Sequence, residues 1–426
     1  MDQVQQRHSA STKRGLVLFG SNDPDQLVDE CVRQLEDPLS NPFREEEFLV
    51  QSRGMGTWLQ LKIAEKKGIF AHARFRFQEE AIWMILRGFL GSGPERNPYT
   101  KEGLAWKVFG LLPGLMQAHS QSFQPLGEYL GGKADWDGNR AFRLCRQIAT
   151  LYDSYLTYRP EMILDWNDKK FPRERDRWQG ILWHALRKSL GFETLPEKVD
   201  QLKQMPNPKR ADWLPERLSV FGVSTMPPLF LDVLQAYGQF RPLKIFSLQP
   251  APVFWGEVES EKWKLRALKR AELQAGHRID ESILSDRAGN QLIGSLGKMG
   301  REFFNMLVDR NAHDEPLCFR DAKGHRLLAR LQRWIFDALN EMEEPKIQPD
   351  PEDQSLIINS CHGHMREVEV LRDYLLRRFE EDSSLQPRDV LVMMPTPEEY
   401  APYIRAVFSG MEEGICLLYT SPSPRD

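Results

Sequence analysis

Phe48-Leu49-Val50-Gln51-Ser52-Arg53-Gly54-Met55-Gly56-Thr57-Trp58-Leu59-Gln60 decides the fold class of this chain. The first three residues read as a short buried strand, residues 51–56 as a loop, and residues 58–66 as a helix that carries Leu59, Ile63 and Ala64. The same grammar precedes it. Leu16-Val17-Leu18-Phe19 is an apolar run, Gly20-Ser21-Asn22-Asp23-Pro24 a loop, and Leu27, Val28, Cys31, Val32 and Leu35 then recur at helical spacing. Parallel strands need a crossover, usually helical, so two strand-loop-helix units in series predict an α/β domain with a parallel sheet and covering helices.

Working outward, strand signals fade between residues 79 and 190, and helical patterns take over at 81–90, 103–117, 139–156 and 178–190. The sheet pattern resumes with a strand at 217–223, a helix opened by Pro227 and Pro228, and a further strand at 243–248. Residues 257–345 read as helical, with Leu327, Leu328, Leu331, Trp334, Ile335 and Leu339 forming an apolar stripe. Pro349 and Pro351 mark a linker at 346–355. Beyond it a strand at 356–359, a loop at 360–364, a helix at 365–379 and a strand at 389–394 open a second α/β domain.

The expected organisation is therefore an α/β domain from 16–90 and 214–256, interrupted by a helical insert at 91–213. A helical region at 257–345 and the linker follow, then the start of a second α/β domain at 356–410. Residues 1–15 read as a disordered extension. Residues 417–426 break the preceding pattern and resemble translated adapter sequence rather than native protein.

A length of 426 residues with 41% apolar content supports two or three globular domains. The net charge of −4 gives no global basic footprint, so any nucleic-acid contact must come from local patches. Cys31, Cys145, Cys318, Cys361 and Cys416 are isolated, with no C-x-x-C pair, which fits a reducing compartment. The polar start lacks the apolar core of a signal peptide and no run approaches a membrane span, so a cytoplasmic location without membrane contact is expected.

The first loop stands where an α/β nucleotide-binding protein carries its phosphate loop. Such a loop needs several free N–H groups and a lysine, whereas residues 20–25 offer one glycine, no lysine and two carboxylates. Gly294-Ser295-Leu296-Gly297-Lys298-Met299 has the wrong glycine spacing and no hydroxyl for Mg²⁺, which leaves helix packing as its reading. Leu218-Ser219-Val220-Phe221-Gly222-Val223 is followed by hydroxyls and prolines rather than by a metal-holding carboxylate, and neither Asp280-Glu281 nor Asp314-Glu315 ends an apolar strand. Either a helicase-like fold without catalysis or any other parallel α/β domain fits this pattern. Cys361-His362-Gly363-His364 has metal-binding residue types but no further ligands at suitable spacing, which favours a structural loop.

His72-Ala73-Arg74-Phe75-Arg76-Phe77-Gln78 alternates basic and apolar residues. In an extended segment His72, Arg74 and Arg76 share one face, while Phe75 and Phe77 share the other. Cations for phosphates and aromatics for bases are the combination that grips single-stranded nucleic acid. A half-buried strand with a solvated basic face explains the pattern equally well.

Four separated segments resemble the RecC family, the gamma subunits of exodeoxyribonuclease V. They are the stretch at 49–60, Asp153-x-Tyr155-Leu156-x-Tyr158-Arg159-Pro160, Phe221-Gly222-Val223-Ser224-x-x-Pro227-Pro228, and Cys361-His362-x-x-Met365-Arg366-Glu367-Val368-Glu369-Val370-Leu371. The resemblance runs from about residue 16 to 408, which is well under half of a full-length family member. It implies a superfamily 1 helicase-like fold without working ATPase motifs, so residues 16–90 and 214–256 would be an inactive helicase-like domain and 356–410 the start of a second. It also implies assembly with RecB-like and RecD-like motor subunits on double-stranded DNA ends. Those partners would use ATP and Mg²⁺; this chain would bind no cofactor and have no ATPase or nuclease site of its own.

The family guides unwound single strands and scans the 3′ strand for the Chi sequence. Matched motif to motif, the scanning contacts would fall on Gln51, Arg53, Thr57, Phe77, Trp83, Thr150, Leu151, Asp153 and Arg159. Amides and carboxylates suit base edges, arginine suits phosphate or guanine, and aromatic rings stack on bases. Better-known members carry Thr and Gln at the positions of Arg53 and Thr57 and Asp at that of Thr150, which leaves the octamer open. Arg74 and Arg76 join the nucleic-acid set on their own pattern. Two competing functions are an active ATP-dependent helicase subunit and an unrelated α/β module that binds protein.

Overall fold

The computed structural model describes residues 15–91, 94, 97–131, 138–171, 176–205, 211–258, 290–317, 319–338 and 350–408. The expected N-terminal extension, the tail at 417–426, Cys318, Cys416, Asp280-Glu281, and much of the predicted helical region and linker lie outside them. The chain divides into two compact units, residues 1–322 with 331–346 and residues 323–330 with 347–426.

The first unit is built on six strands: β1 (Gly15–Ser21), β2 (Glu46–Val50), β3 (Ala73–Arg76), β4 (Leu218–Phe221), β5 (Pro242–Leu248) and β6 (His313–Pro316). They lie in the order β3-β2-β4-β5-β1-β6 and every pair is parallel. Register is fixed by two-sided burial. Leu16, Leu18, Leu49, Val220, Leu243 and Ile245 enter one core, while Val17, Phe19, Phe48, Val50, Phe221 and Phe246 enter the other. A one-residue slip would exchange the two sets, and the two cores have different partners. The chain is thus an α/β protein whose central strands are mostly apolar, with Ser219 and Lys244 as buried polar exceptions, in keeping with both-face burial.

β6 corrects the reading of residues 257–345 as helical. Val17 pairs with His313 and Leu18 with Asp314, so a polar edge segment is held as strand by its neighbour's ladder, with no apolar run to announce it.

Two helices cover the second core: α1 (Pro24–Gln34) supplies Leu27, Val28 and Cys31, and α2 (Arg53–Lys67) supplies Leu59 and Ile63. The opposite face is covered by α3 (Gln78–Leu90), which buries Ala81 through Leu86. The helical insert contributes α4 (Lys101–Ala118), α5 (Gln124–Tyr129), α6 (Gly138–Tyr158), α7 (Pro160–Asn167), α8 (Arg177–Leu190) and α9 (Leu195–Gln204). Its own core holds Tyr99, Leu104, Val108, Cys145, Ile148, Tyr152, Trp166 and Trp183. The polar ends of its buried aromatics are satisfied: Tyr152 donates to the Gln179 carbonyl at 2.8 Å and Trp183 Nε1 donates to Asn167 Oδ1 at 2.9 Å. α9 starts on a capping box between Thr194 and Glu197 and packs on α3 and α10 (Pro228–Gly238), which returns the chain to the sheet.

The second unit holds α-helices His364–Glu381 and Pro397–Phe408, which pack on each other, with Tyr400 donating to Glu367 at 2.7 Å. The strands expected at 356–359 and 389–394 are not formed among the described residues: neither segment has a ladder partner, and Ile358 and Leu391 are more than four-fifths exposed. Apolar, β-branched sequence makes a strand only when a neighbour supplies the hydrogen bonds. Among the described residues no helix is long and apolar enough to cross a membrane.

Candidate nucleic-acid interface

Parallel strands end together at one edge of the sheet, and open α/β sheets place their ligands beyond that edge. β1 runs there into Ser21-Asn22-Asp23. Asp23 caps α1, its Oδ1 accepting from the Asp25 amide at 3.0 Å, and Ser21 Oγ accepts from the Asp23 amide at 3.1 Å. Arg320 covers the same loop. Its Nε stands 2.5 Å from Asp23 Oδ2, and its backbone amide and carbonyl meet the Asn22 side chain at 2.9 and 2.8 Å. A phosphate would need these helix-start amides, and a carboxylate already faces them.

β2 ends at Val50, and Gln51 follows on the surface with its Oε1 accepting from Ser224 Oγ, in the loop after β4, at 3.3 Å. Ser52 then caps α2 by accepting from the Met55 amide at 3.2 Å, so the helix begins at Arg53 and not at residue 58 as the pattern predicts. A hydroxyl cap outweighs the helix-weakening Gly54 and Gly56. Gly56 allows a close approach here: a Cβ at this position would lie 3.3 Å from the Phe75 side chain of β3, tight enough that the ring would have to give by a few tenths of an ångström. The result is that Gln51, Arg53 and Thr57 are brought together, all exposed, with Arg53 and Thr57 four residues apart on one helix face. Gly222, at φ +66°, makes the turn after β4 that carries Ser224 alongside, with its amide donating to Phe246 O at 3.0 Å.

β3 is extended over Ala73–Arg76 alone, with His72 at φ +62° and Gln78 already helical, and its basic face is not free. Arg76 is held by Glu47 at 2.7 and 3.0 Å and also by Glu80; Arg74 is held by Glu45 at 2.7 Å. Burial pushes the Glu47 carboxyl up from its ordinary range, with the Arg76 hydrogen bonds and charge pulling the other way. A phosphate at Arg76 would have to displace a carboxylate. Phe77 is half-buried at the start of α3, where Gln78 donates to the Thr225 carbonyl at 3.1 Å. Trp83 is 3% exposed within the sheet core, which is the packing alternative for this residue.

The remaining predicted positions lie on the insert. Thr150, Leu151 and Asp153 stand on α6 and Arg159 directly after it, as the first residue before α7. Thr150 and Leu151 are exposed, with Thr150 Oγ1 donating to the Arg146 carbonyl at 3.0 Å. Asp153 is paired with Lys101 at 3.3 Å, and Arg159 is exposed with no side-chain partner among the described residues. Asn97 donates to Glu79, in the first turn of α3, at 2.6 Å. Lys101 is only four positions after Asn97, a span of at most ~14 Å. The Asp153 turn of α6 is thereby tied to the edge where β3 ends. Sequence reading missed Arg320 and Ser224, which act through partners distant in the chain and carry no local signal.

Among the described residues no three His, Cys, Asp or Glu side chains converge to hold a metal ion, and in the second unit His364 Nδ1 lies 3.4 Å from Glu367.

Comparison with known proteins agrees with the resemblance in the motifs. The chain is 30% identical to the RecBCD enzyme subunit RecC of Haemophilus influenzae over 427 aligned residues, which cover 88% of this chain and 38% of that protein. It is 31% identical to the protein of the same name from Escherichia coli, over 87% of this chain and 36% of the relative. The Mycolicibacterium smegmatis relative is 28% identical, over 92% and 34% respectively. The chain thus spans little more than a third of the length of these curated relatives. Residues 16–338, which include the whole parallel sheet and the insert, match the model described as RecC, N-terminal domain, and the chain belongs to the RecC family.

Proposed function

We propose that this chain is the DNA-guiding portion of a RecBCD-type helicase and nuclease, in which it contacts unwound single strands and has no ATPase or nuclease site of its own. The relatives' name places them in the RecBCD enzyme, and their shared family is the basis for extending that assembly, with RecB-like and RecD-like motor subunits, to this protein. ATP and Mg²⁺ would then serve those partners, on DNA ends in the cytoplasm.

One observation carries the non-motor reading: the helix start after β1 is occupied by its own Asp23 and covered by Arg320. An anion-binding helix N-terminus offers its N–H groups to the ligand, and here the Asp25 amide already donates to the Asp23 carboxylate. The strand-contact reading rests on the exposed groups at the same edge, Gln51, Arg53 and Thr57, and on Thr150, Leu151 and Arg159 of the insert. Reading of the Chi sequence on the 3′ strand belongs to this proposal, with Gln51 and Arg53 offering amide and guanidinium groups to base edges.

The test is the salt-dependent affinity of the chain for DNA carrying a 3′ single-stranded tail, together with ATP turnover. Tail binding without DNA-stimulated turnover is the expected result. Stimulated ATP hydrolysis by this chain alone, or no affinity for tailed DNA, would overturn it.

A further inference from the structure

The face of α6 that carries Thr150 and Leu151 does not end with them. At ~100° per residue, Arg143, Arg146 and Gln147 fall within about 60° of Thr150, and Arg140 lies on the same side one turn earlier. Arg140, Arg143, Arg146, Gln147 and Thr150 are all exposed, while Ala141, Leu144, Cys145 and Ile148 on the other side are buried. The exposed run from Arg143 to Tyr158 is about 22 Å long at ~1.5 Å per residue.

Several arginines around the sheet are answered by carboxylates: Arg74 by Glu45, Arg76 by Glu47, Arg310 by Asp232 and Arg320 by Asp23. On α6 neither Arg143 nor Arg146 has a carboxylate within ion-pair reach among the described residues, and Arg140 lies 4.8 Å from the Tyr129 ring. An exposed aromatic side chain packs against the same helix. Trp106 on α4 is 64% exposed, and its ring centroid is 4.5 Å from that of Phe142, which fixes its orientation at the flank of the arginine face.

We infer that Arg143 and Arg146, with Trp106 as a stacking platform, form a sequence-independent contact for single-stranded DNA that extends the α6 surface beyond Thr150 and Leu151. Unpaired guanidinium groups along a helix neutralise successive phosphates, and an exposed, pre-oriented indole takes a base regardless of its identity. A duplex hides its base faces, so the indole selects for the single strand. Arginine and tryptophan also anchor protein interfaces, and a protein-binding face would leave oligothymidylate affinity unchanged in both variants. The inference rests on the proposal that this chain contacts unwound strands.

The experiment measures binding of the 426-residue chain to labelled oligothymidylate of 20 nucleotides and to a 20-base-pair duplex over a salt series, by fluorescence anisotropy. The variants are the double change Arg143→Gln with Arg146→Gln, Trp106→Ala, and Arg159→Ala, all at exposed positions, with circular dichroism to confirm the fold. The double variant should bind oligothymidylate roughly tenfold more weakly and flatten the log–log salt slope by about 1.4, at ~0.7 per phosphate contact. Trp106→Ala should weaken binding by roughly tenfold with the slope unchanged.

An unchanged affinity and slope in the double variant, with Arg159→Ala still weakening binding, overturns this inference and leaves the proposed function standing. Absence of binding by the parent overturns both. Equal losses on duplex and single strand for Trp106→Ala overturn the stacking assignment.

Discussion

Arg320 Nε lies 2.5 Å from Asp23 Oδ2, while the other oxygen of that carboxylate accepts from the Asp25 amide at 3.0 Å. One side chain therefore caps α1 and anchors a distant segment over the loop where nucleotide-binding folds hold phosphate. Asp23→Ala should remove the cap, at a cost of about 1 kcal/mol, and lower the thermal midpoint by roughly 2–4 °C. It should not create nucleotide affinity, because the loop still lacks a lysine and the further glycines that expose amides. Differential scanning calorimetry with and without ATP checks both; an ATP-dependent rise in the midpoint of the variant would refute the argument.

Gly56 sets how closely α2 approaches the edge strand. A Cβ there lies 3.3 Å from Phe75, whose ring stacks on Phe48 at 5.1 Å. Gly56→Val adds two methyl groups beyond that Cβ, and overpacking of this kind costs about 1–3 kcal/mol. Chemical denaturation should report the loss. Because Arg53 and Thr57 ride on the same helix, tailed-DNA affinity should fall with it, whereas a variant of unaltered stability would show that the helix can shift freely.

The central strands were legible because two-sided burial writes them as nearly unbroken apolar runs: Leu16 to Phe19, Phe48 to Val50 and Leu243 to Phe246 contain one polar residue, Lys244. β6 was not, since His313, Asp314 and Glu315 are strand only by courtesy of β1. Residues 356–359 and 389–394 fail in the opposite sense, with strand-like composition and no ladder among the described residues. At the candidate interface, local reading placed Gln51, Arg53 and Thr57 on one junction, but it could not know that Glu45 and Glu47 on β2 neutralise Arg74 and Arg76 on β3. Pairing across strands is a property of register, and register depends on the whole sheet.

Lys244 is the polar intrusion in those runs and predicts a pH response. It is 2% exposed on β5, and burial, with Arg217 nearby, brings its ammonium down to about 8. A depressed lysine contributes its full stability above the unfolded value of 10.5 and loses it as pH falls through 8. Stability of the parent relative to Lys244→Met should therefore rise between pH 8 and 10.5, by on the order of 2–3 kcal/mol. Buried Cys31, pushed up to about 12 chiefly by desolvation, works against stability over part of this range. It remains in both proteins, so the comparison largely removes it. Urea midpoints across the range give the answer; parallel pH curves for the two proteins would mean that Lys244 reaches water.

Trp83 and Arg159 were both predicted to touch a strand, and the structure gives them opposite physical situations. Trp83 is packed among the sheet helices with its Nε1 unpartnered among the described residues, whereas Arg159 projects from the end of α6 into solvent. Trp83→Ala should destabilise the fold by about 3–5 kcal/mol, as large-to-small core changes do. Any loss of DNA binding should then track the unfolded fraction and vanish at lower temperature or in stabilising osmolyte. Arg159→Ala should change stability by less than ~0.5 kcal/mol and reduce the salt slope of single-strand binding by about 0.7. Paired denaturation and binding titrations separate the two, and a Trp83→Ala protein that is fully folded yet deficient in strand binding would restore the indole as a direct contact.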